Sequence, residues 1–194
     1  MSIETNIEDI YYNHKETVVY GFESINLDAL QAAADVILYA IRSGKTIYTA
    51  GNGASASIAQ HWACDYTKGC SDIESTFKPK VISLSANIPL MTAISNDISY
   101  DEVYSYQLQR LADPGDVFIS ISSSGNSPSV VRACEVALEK NVQVIALTGF
   151  NGGRTRELAG YPIHVDVQEY EAVEDVHQAI MHMIAKYIRY RKWK

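Results

Sequence analysis

Five short apolar runs, each followed by a helical stretch, constrain this chain more than any other feature. They are KTIYTAG (45–51), KVISLS (80–85), DVFISIS (116–122), VQVIALTG (142–149) and PIHVDV (162–167). Their continuous β-branched character, in place of strict alternation, is that of strands buried on both faces of a parallel sheet. Helical stretches fall at about 55–68, 88–96 with 101–112, 128–140 and 154–159, and a long one at about 171–190 closes the chain. Strands alternating with helices predict a doubly wound α/β layer. Ahead of them, SINLDALQAAADVILYAIRSG places Leu27, Leu30, Ala34, Ile37, Leu38 and Ile41 at three- and four-residue spacing, with Gly44 as a stop. The first 44 residues are therefore expected to be helical. The stretch before Ser24 forms a weaker helix that reaches toward a partner.

At 194 residues and 47% hydrophobic, the chain suits one domain spanning 1–194, with no repeat or linker to divide it. A net charge of -7 argues against a general nucleic-acid binder, whose surface is usually basic. No run approaches the roughly 18 apolar residues of a membrane span, and MSIETNIEDI lacks a signal-peptide pattern. Cys64, Cys70 and Cys134 are odd in number and form no C-x-x-C pair, which predicts packing residues in a reducing cytoplasm. The basic tail RYRKWK complements the dipole of the last helix.

Ligands of such sheets bind beyond the carboxyl ends of the strands. After the first run, Gly51, Gly53 and Ala56 fit G-x-G-x-x-G/A, and a helix starting near Ser55 offers free amides. A dinucleotide site also wants an acidic residue at the end of the second strand. VISLSANIPL supplies Ser83, Ser85 and Asn87 instead, which disfavours a nicotinamide oxidoreductase. The loop after the third run is more informative. Ser122, Ser123, Ser124 and Ser127 surround Gly125, and Pro128 opens a helix that Ser127 is placed to cap. Short hydroxyls and free amides can hold a phosphate monoester without a lysine. A third segment, AISNDISYDEVY, carries Asn96, Asp97 and Asp101. Asx-turns explain it as readily as hydrogen bonds to sugar hydroxyls, and residue types do not decide.

His61 and Asp65 lie one helical turn apart and border the apolar stripe of Ile58 and Trp62. Such a pair is either structural or poised for proton transfer or metal ligation. On the last helix, Val173, Val176, Ile180, Ile184 and Tyr187 form the apolar stripe. His177 lies beside it as a core histidine, Glu174 lies on a flank, and His182 faces away. An outward histidine is solvated or meets another subunit. Glu174 and His182 are two turns apart, ~12 Å, too far to share one ion on a regular helix of a single subunit.

Taken together, GNGASASIAQHWACDY, AISNDISYDEVYS, ISSSGNSPSVVRA, VIALTGFNGG and EDVHQAIMHMIAKYI resemble the SIS (sugar isomerase) domain family, in particular its phosphoheptose (sedoheptulose 7-phosphate) isomerases. The resemblance implies a flavodoxin-like five-stranded parallel sheet and a homotetramer with active sites at subunit interfaces. It implies a ketose–aldose phosphate isomerase, with zinc reported in some members. Asn52, Gly53 and Ser55, Asn96 and Asp97, and Ser122, Ser123, Ser124 and Ser127 match phosphosugar-binding positions. His61, Asp65, Glu174 and His182 match acid–base and metal positions, with Asp65 or Glu174 as base and His182 as proton shuttle. Asp65 stands where the group usually has glutamate, and Glu174 where it usually has glutamine. Those two departures support an alternative, a non-catalytic SIS module that binds a phosphosugar or docks on a replication initiator. A transcription regulator would need a further DNA-binding domain.

Overall fold

The computed structural model describes residues 6–71 and 77–191. The last three residues of the basic tail, 192–194, lie outside them. Two helices come first. α1 (Ile7–Glu23) is capped by Asn6, whose Oδ1 accepts from the Asp9 amide at 2.9 Å. α2 (Leu27–Arg42) is capped likewise by Asn26. Ala34, Ile37, Leu38 and Ile41 of α2 are buried as their spacing predicts, whereas Leu27 at its first turn is exposed.

Five strands then alternate with helices: β1 (Thr46–Ala50), α3 (Ala54–Cys64), β2 (Lys80–Ser83), α4 (Ile88–Asp97) and α5 (Ser105–Leu111), β3 (Val117–Ser122), α6 (Pro128–Glu139), β4 (Gln143–Thr148), α7 (Gly153–Leu158) and β5 (Tyr161–His164). α8 (Tyr170–Arg191) closes the chain. Every pairing is parallel and the order is β2-β1-β3-β4-β5, the doubly wound flavodoxin-like arrangement expected of the sequence. β3 is buried along its whole length, whereas the edge strand β2 alternates, since an edge is covered less completely.

One core lies between the sheet and α2, α3 and α8, around Ile37, Trp62, Ile119 and Ile180. The other lies on the opposite face beneath α5 and α6, around Tyr104, Leu108, Phe118 and Val130. α1 docks on α8, where His14 Nε2 lies 2.8 Å from Asp175 Oδ2. Its outer side leaves Ile7, Tyr11, Tyr12 and Tyr20 exposed. Among the described residues no single helix is long and apolar enough to cross a membrane.

Candidate active site

The strand order reverses between β1 and β3, and a cleft of about 270 Å3 opens there beyond their carboxyl ends. The loop after β1 turns at Gly53, whose φ of 55° lies in the region only glycine adopts freely. No side chain caps α3, so its first amides stay open toward the cleft. Ser55 sits buried in that first turn.

The opposite wall is the serine loop. Gly125 has φ 65°, and a Cβ there would collide with the carbonyl of Gly152. That close approach seats the serine loop on the glycine-rich turn after β4, through Thr155 N–H donating to Gly125 O at 2.9 Å and Gly149 N–H donating to Ser123 O at 2.8 Å. Ser127 stands at the N-cap of α6 but makes no capping bond. Its hydroxyl instead lies 3.4 Å from that of Ser122, inside the cleft. Ser123 Oγ is buried with no hydrogen-bond partner among the described residues. Buried hydroxyls in native proteins are nearly always satisfied, so an unpaired one on a cleft wall fits a bound acceptor. Together these groups suit an anion the size of a phosphate ester.

Asn52 belongs to the frame of this cleft. Its Nδ2 donates to Ser129 Oγ at 3.0 Å, and its Oδ1 accepts from Tyr100 OH at 2.8 Å and Tyr104 OH at 2.9 Å. Tyr104 OH also lies 2.6 Å from Gly51 O, so its single proton is shared between that carbonyl and Asn52 Oδ1. Both tyrosines lie in the segment AISNDISYDEVY, alongside Asn96 and Asp97. Asn96 and Asp97 are exposed at the end of α4, hydrogen-bonded to each other at 2.8 Å, and do not line the cleft of this chain.

The acid–base residues gather elsewhere, where α3 runs against α8. α3 ends in a π-helical turn, Asp65–Cys70, a local widening that is rare and concentrates at functional sites. At that junction Asp65 Oδ1 is 3.3 Å from His61 Nε2, and Asp65 Oδ2 is 3.8 Å from His182 Nε2. The two imidazoles meet edge to face at 5.1 Å. His182 thus faces α3 of its own chain. Gln178 stands between the rings, its Nε2 2.9 Å from His61 Nδ1 and 3.3 Å from His182 Nε2. Sequence reasoning passed over this glutamine, although it lies one turn from both Glu174 and His182.

Ligand atoms of His61, Asp65 and His182 fall within 4.8 Å of one another. Two imidazoles and a carboxylate are a donor set suited to catalytic zinc, which keeps a fourth position for water or substrate. Glu174 is not part of this group. It lines the serine cleft with Tyr170, and its carboxyl is raised from its ordinary value by burial first, then by Glu171 and Asp175. His177, on the inner side of α8, is fully buried, and that burial pushes its pKa down to about 4.

A 2-1-3-4-5 sheet, a serine-lined cleft at its switch point and a helix-borne imidazole–carboxylate cluster define the class of sugar isomerase domains. A sequence profile of the SIS domain matches residues 10–149. The phosphoheptose isomerase of Synechocystis is 32% identical over 91% of this chain and 90% of its own length. That of Mycobacterium tuberculosis (strain ATCC 25177 / H37Ra) is 34% identical over 87% of this chain and 85% of its own. Among solved structures, phosphoheptose isomerase GmhA from Neisseria gonorrhoeae superposes with a TM-score of 0.86 at 28% identity, covering 94% of this chain and 98% of that one. The chain belongs to the SIS-domain family, among its phosphoheptose isomerases.

Proposed function

We propose that this protein is an isomerase that interconverts sedoheptulose 7-phosphate and the corresponding aldoheptose 7-phosphate. The observation that carries the reading is one chain holding both a phosphate-sized serine cleft and a carboxylate flanked by two histidines, within a family of phosphoheptose isomerases. Amides at the starts of α3 and α6, with the hydroxyls of Ser55, Ser122, Ser123, Ser124 and Ser127, bind the phosphate and the helix dipoles oppose its charge. Asn52 and Gly53 frame that cleft, and Asn96 and Asp97 supply sugar contacts at its rim in the assembled protein. From Glu174 to His182 is two helical turns, ~12 Å, a span comparable to an extended seven-carbon phosphate ester.

Asp65 acts as the general base. It takes a proton from C1 of the ketose, the C–H electrons form the C1=C2 bond, and the carbonyl oxygen becomes the enediolate oxygen. His182 carries the O1 hydroxyl proton to O2. Asp65 then returns its proton to C2 as the C1 aldehyde forms. His61, whose Nε2 lies 3.3 Å from Asp65 Oδ1, orients that carboxylate, while Glu174 borders the bound ester. His61, Asp65 and His182 would hold zinc, with Glu174 reached only through a rearranged helix start or a second subunit. Bound there, the ion would polarise the substrate oxygens as a Lewis acid.

We propose further that the working protein is a homotetramer, because the exposed apolar side of α1 needs cover and the imidazole cluster lies open at the surface. The single SIS domain operates in the cytoplasm, where Cys64, Cys70 and Cys134 stay reduced. Incubation with sedoheptulose 7-phosphate in D2O, with and without zinc, tests the reading by NMR. Deuterium enters at C1 of the ketose and C2 of the aldose if it is right. Binding without exchange, across several ketose phosphates, would leave a phosphosugar-binding module instead.

A further inference from the structure

The two walls of the phosphate cleft come from different parts of the chain, and one side chain spans them. Asn52 follows β1 on the glycine wall, and its Nδ2 donates at 3.0 Å to the Oγ of Ser129, in the first turn of α6 on the serine wall. Its Oδ1 is held from a third direction by the hydroxyls of Tyr100 at 2.8 Å and Tyr104 at 2.9 Å. The segment that carries both tyrosines is itself fastened to α6, where Arg132 Nε lies 3.2 Å from Glu102 Oε1. Asn52 lines the cleft, whereas Tyr100, Tyr104 and Ser129 do not. Tyr104 and Ser129 are buried, and Tyr100 is half exposed. Any part these three play in binding is therefore exerted through Asn52.

We propose that Asn52 is a strut between the cleft walls, and that Tyr100, Tyr104 and Ser129 are positioning residues that hold it there. The amide works in both directions. Its oxygen has two lone pairs for the two tyrosine hydroxyls, and its nitrogen has a donor for the serine. It cannot turn without breaking contacts on both sides. The open amides of α3 thus keep a set distance from the hydroxyls of Ser122 and Ser127 before any anion arrives. A cleft arranged in advance does not lose affinity to the ordering of its own loops.

The strut belongs to the anion site of the proposed isomerase, and only its effect on KM rests on the isomerase reading. Full-length Tyr100→Phe, Ser129→Ala and the double variant are titrated with inorganic phosphate at low salt by calorimetry. Tyr100→Phe removes one hydroxyl from a half-exposed ring and leaves the cores intact. Each single substitution weakens phosphate binding about three- to tenfold, within the net worth of one hydrogen bond. The double variant falls well short of the product of the two losses, since a strut released at one end is already free at the other. With sedoheptulose 7-phosphate, KM rises by the same factor in each single variant while kcat holds. Losses that multiply in the double variant overturn the proposal, because they mark independent contacts. Single variants that melt earlier but bind phosphate as tightly as wild type overturn it as well, since that is the mark of a purely structural role. So does a wild type that binds no phosphate. A wild type that binds phosphate yet leaves sedoheptulose 7-phosphate unconverted sinks the isomerase reading alone, and the calorimetric cycle still decides the role of the strut.

Discussion

The serine cleft and the histidine cluster are built on opposite principles. The cleft is made of backbone amides and short hydroxyls on loops anchored to a buried sheet, with Ser55, Ser122 and Ser123 all shielded from solvent. The cluster stands on two helix surfaces, where the side chains of His61, Asp65 and His182 are 43%, 33% and 50% exposed. Binding geometry is therefore fixed by the fold itself. The chemistry falls to half-exposed imidazole and carboxylate side chains, which must be steered by their neighbours. Anion recognition tolerates rigid, neutral dipoles, but proton transfer needs ionisable groups, and burying those is costly unless they are paired.

Substitutions can break this division. The largest effect is expected of Asp65→Asn, which should lower kcat by about 100- to 10,000-fold, the usual worth of a positioned base, and be read by steady-state kinetics. Next is an acid limb in stability that belongs to the buried side. The folded pKa of His177, about 4, lies below its ordinary 6.5, so the unfolded chain takes up the proton first. Stability is present above pH 6.5 and is lost as pH falls toward 4, by roughly 3 kcal/mol in all. Urea unfolding across that window measures it, and His177→Leu should flatten the slope. Ser123→Ala should raise KM roughly tenfold with kcat unchanged, the loss of one hydrogen bond to a charged ester. The smallest change is Glu174→Gln. Removing a carboxyl that borders the cleft should tighten inorganic phosphate binding roughly threefold at low salt, by titration calorimetry, and less at high salt.

The sheet was legible because its strands are buried on both faces and punctuated by helices, so hydrophobic period alone located β1 to β5. The serine loop was legible for a similar reason, since Ser122 to Ser127 and Pro128 carry their own turn and helix-start chemistry. Two things were not. Ser127 looks like a helix cap in sequence, but its hydroxyl turns to Ser122, and only the folded loop reveals that choice. Tyr100, Tyr104 and Gln178 are unremarkable by type, and their roles come from partners distant in sequence, Asn52, Gly51 and His61. Helical periodicity likewise put His182 opposite the apolar stripe without saying that α3 of the same chain would meet it there.

The division between gripping and reacting is tested most directly in Asp65→Asn, by titrating it with sedoheptulose 7-phosphate while following deuterium exchange in the same sample. The account predicts a dissociation constant close to that of wild type and no measurable exchange at C1. Exchange at the wild-type rate, or loss of binding together with exchange, would contradict it.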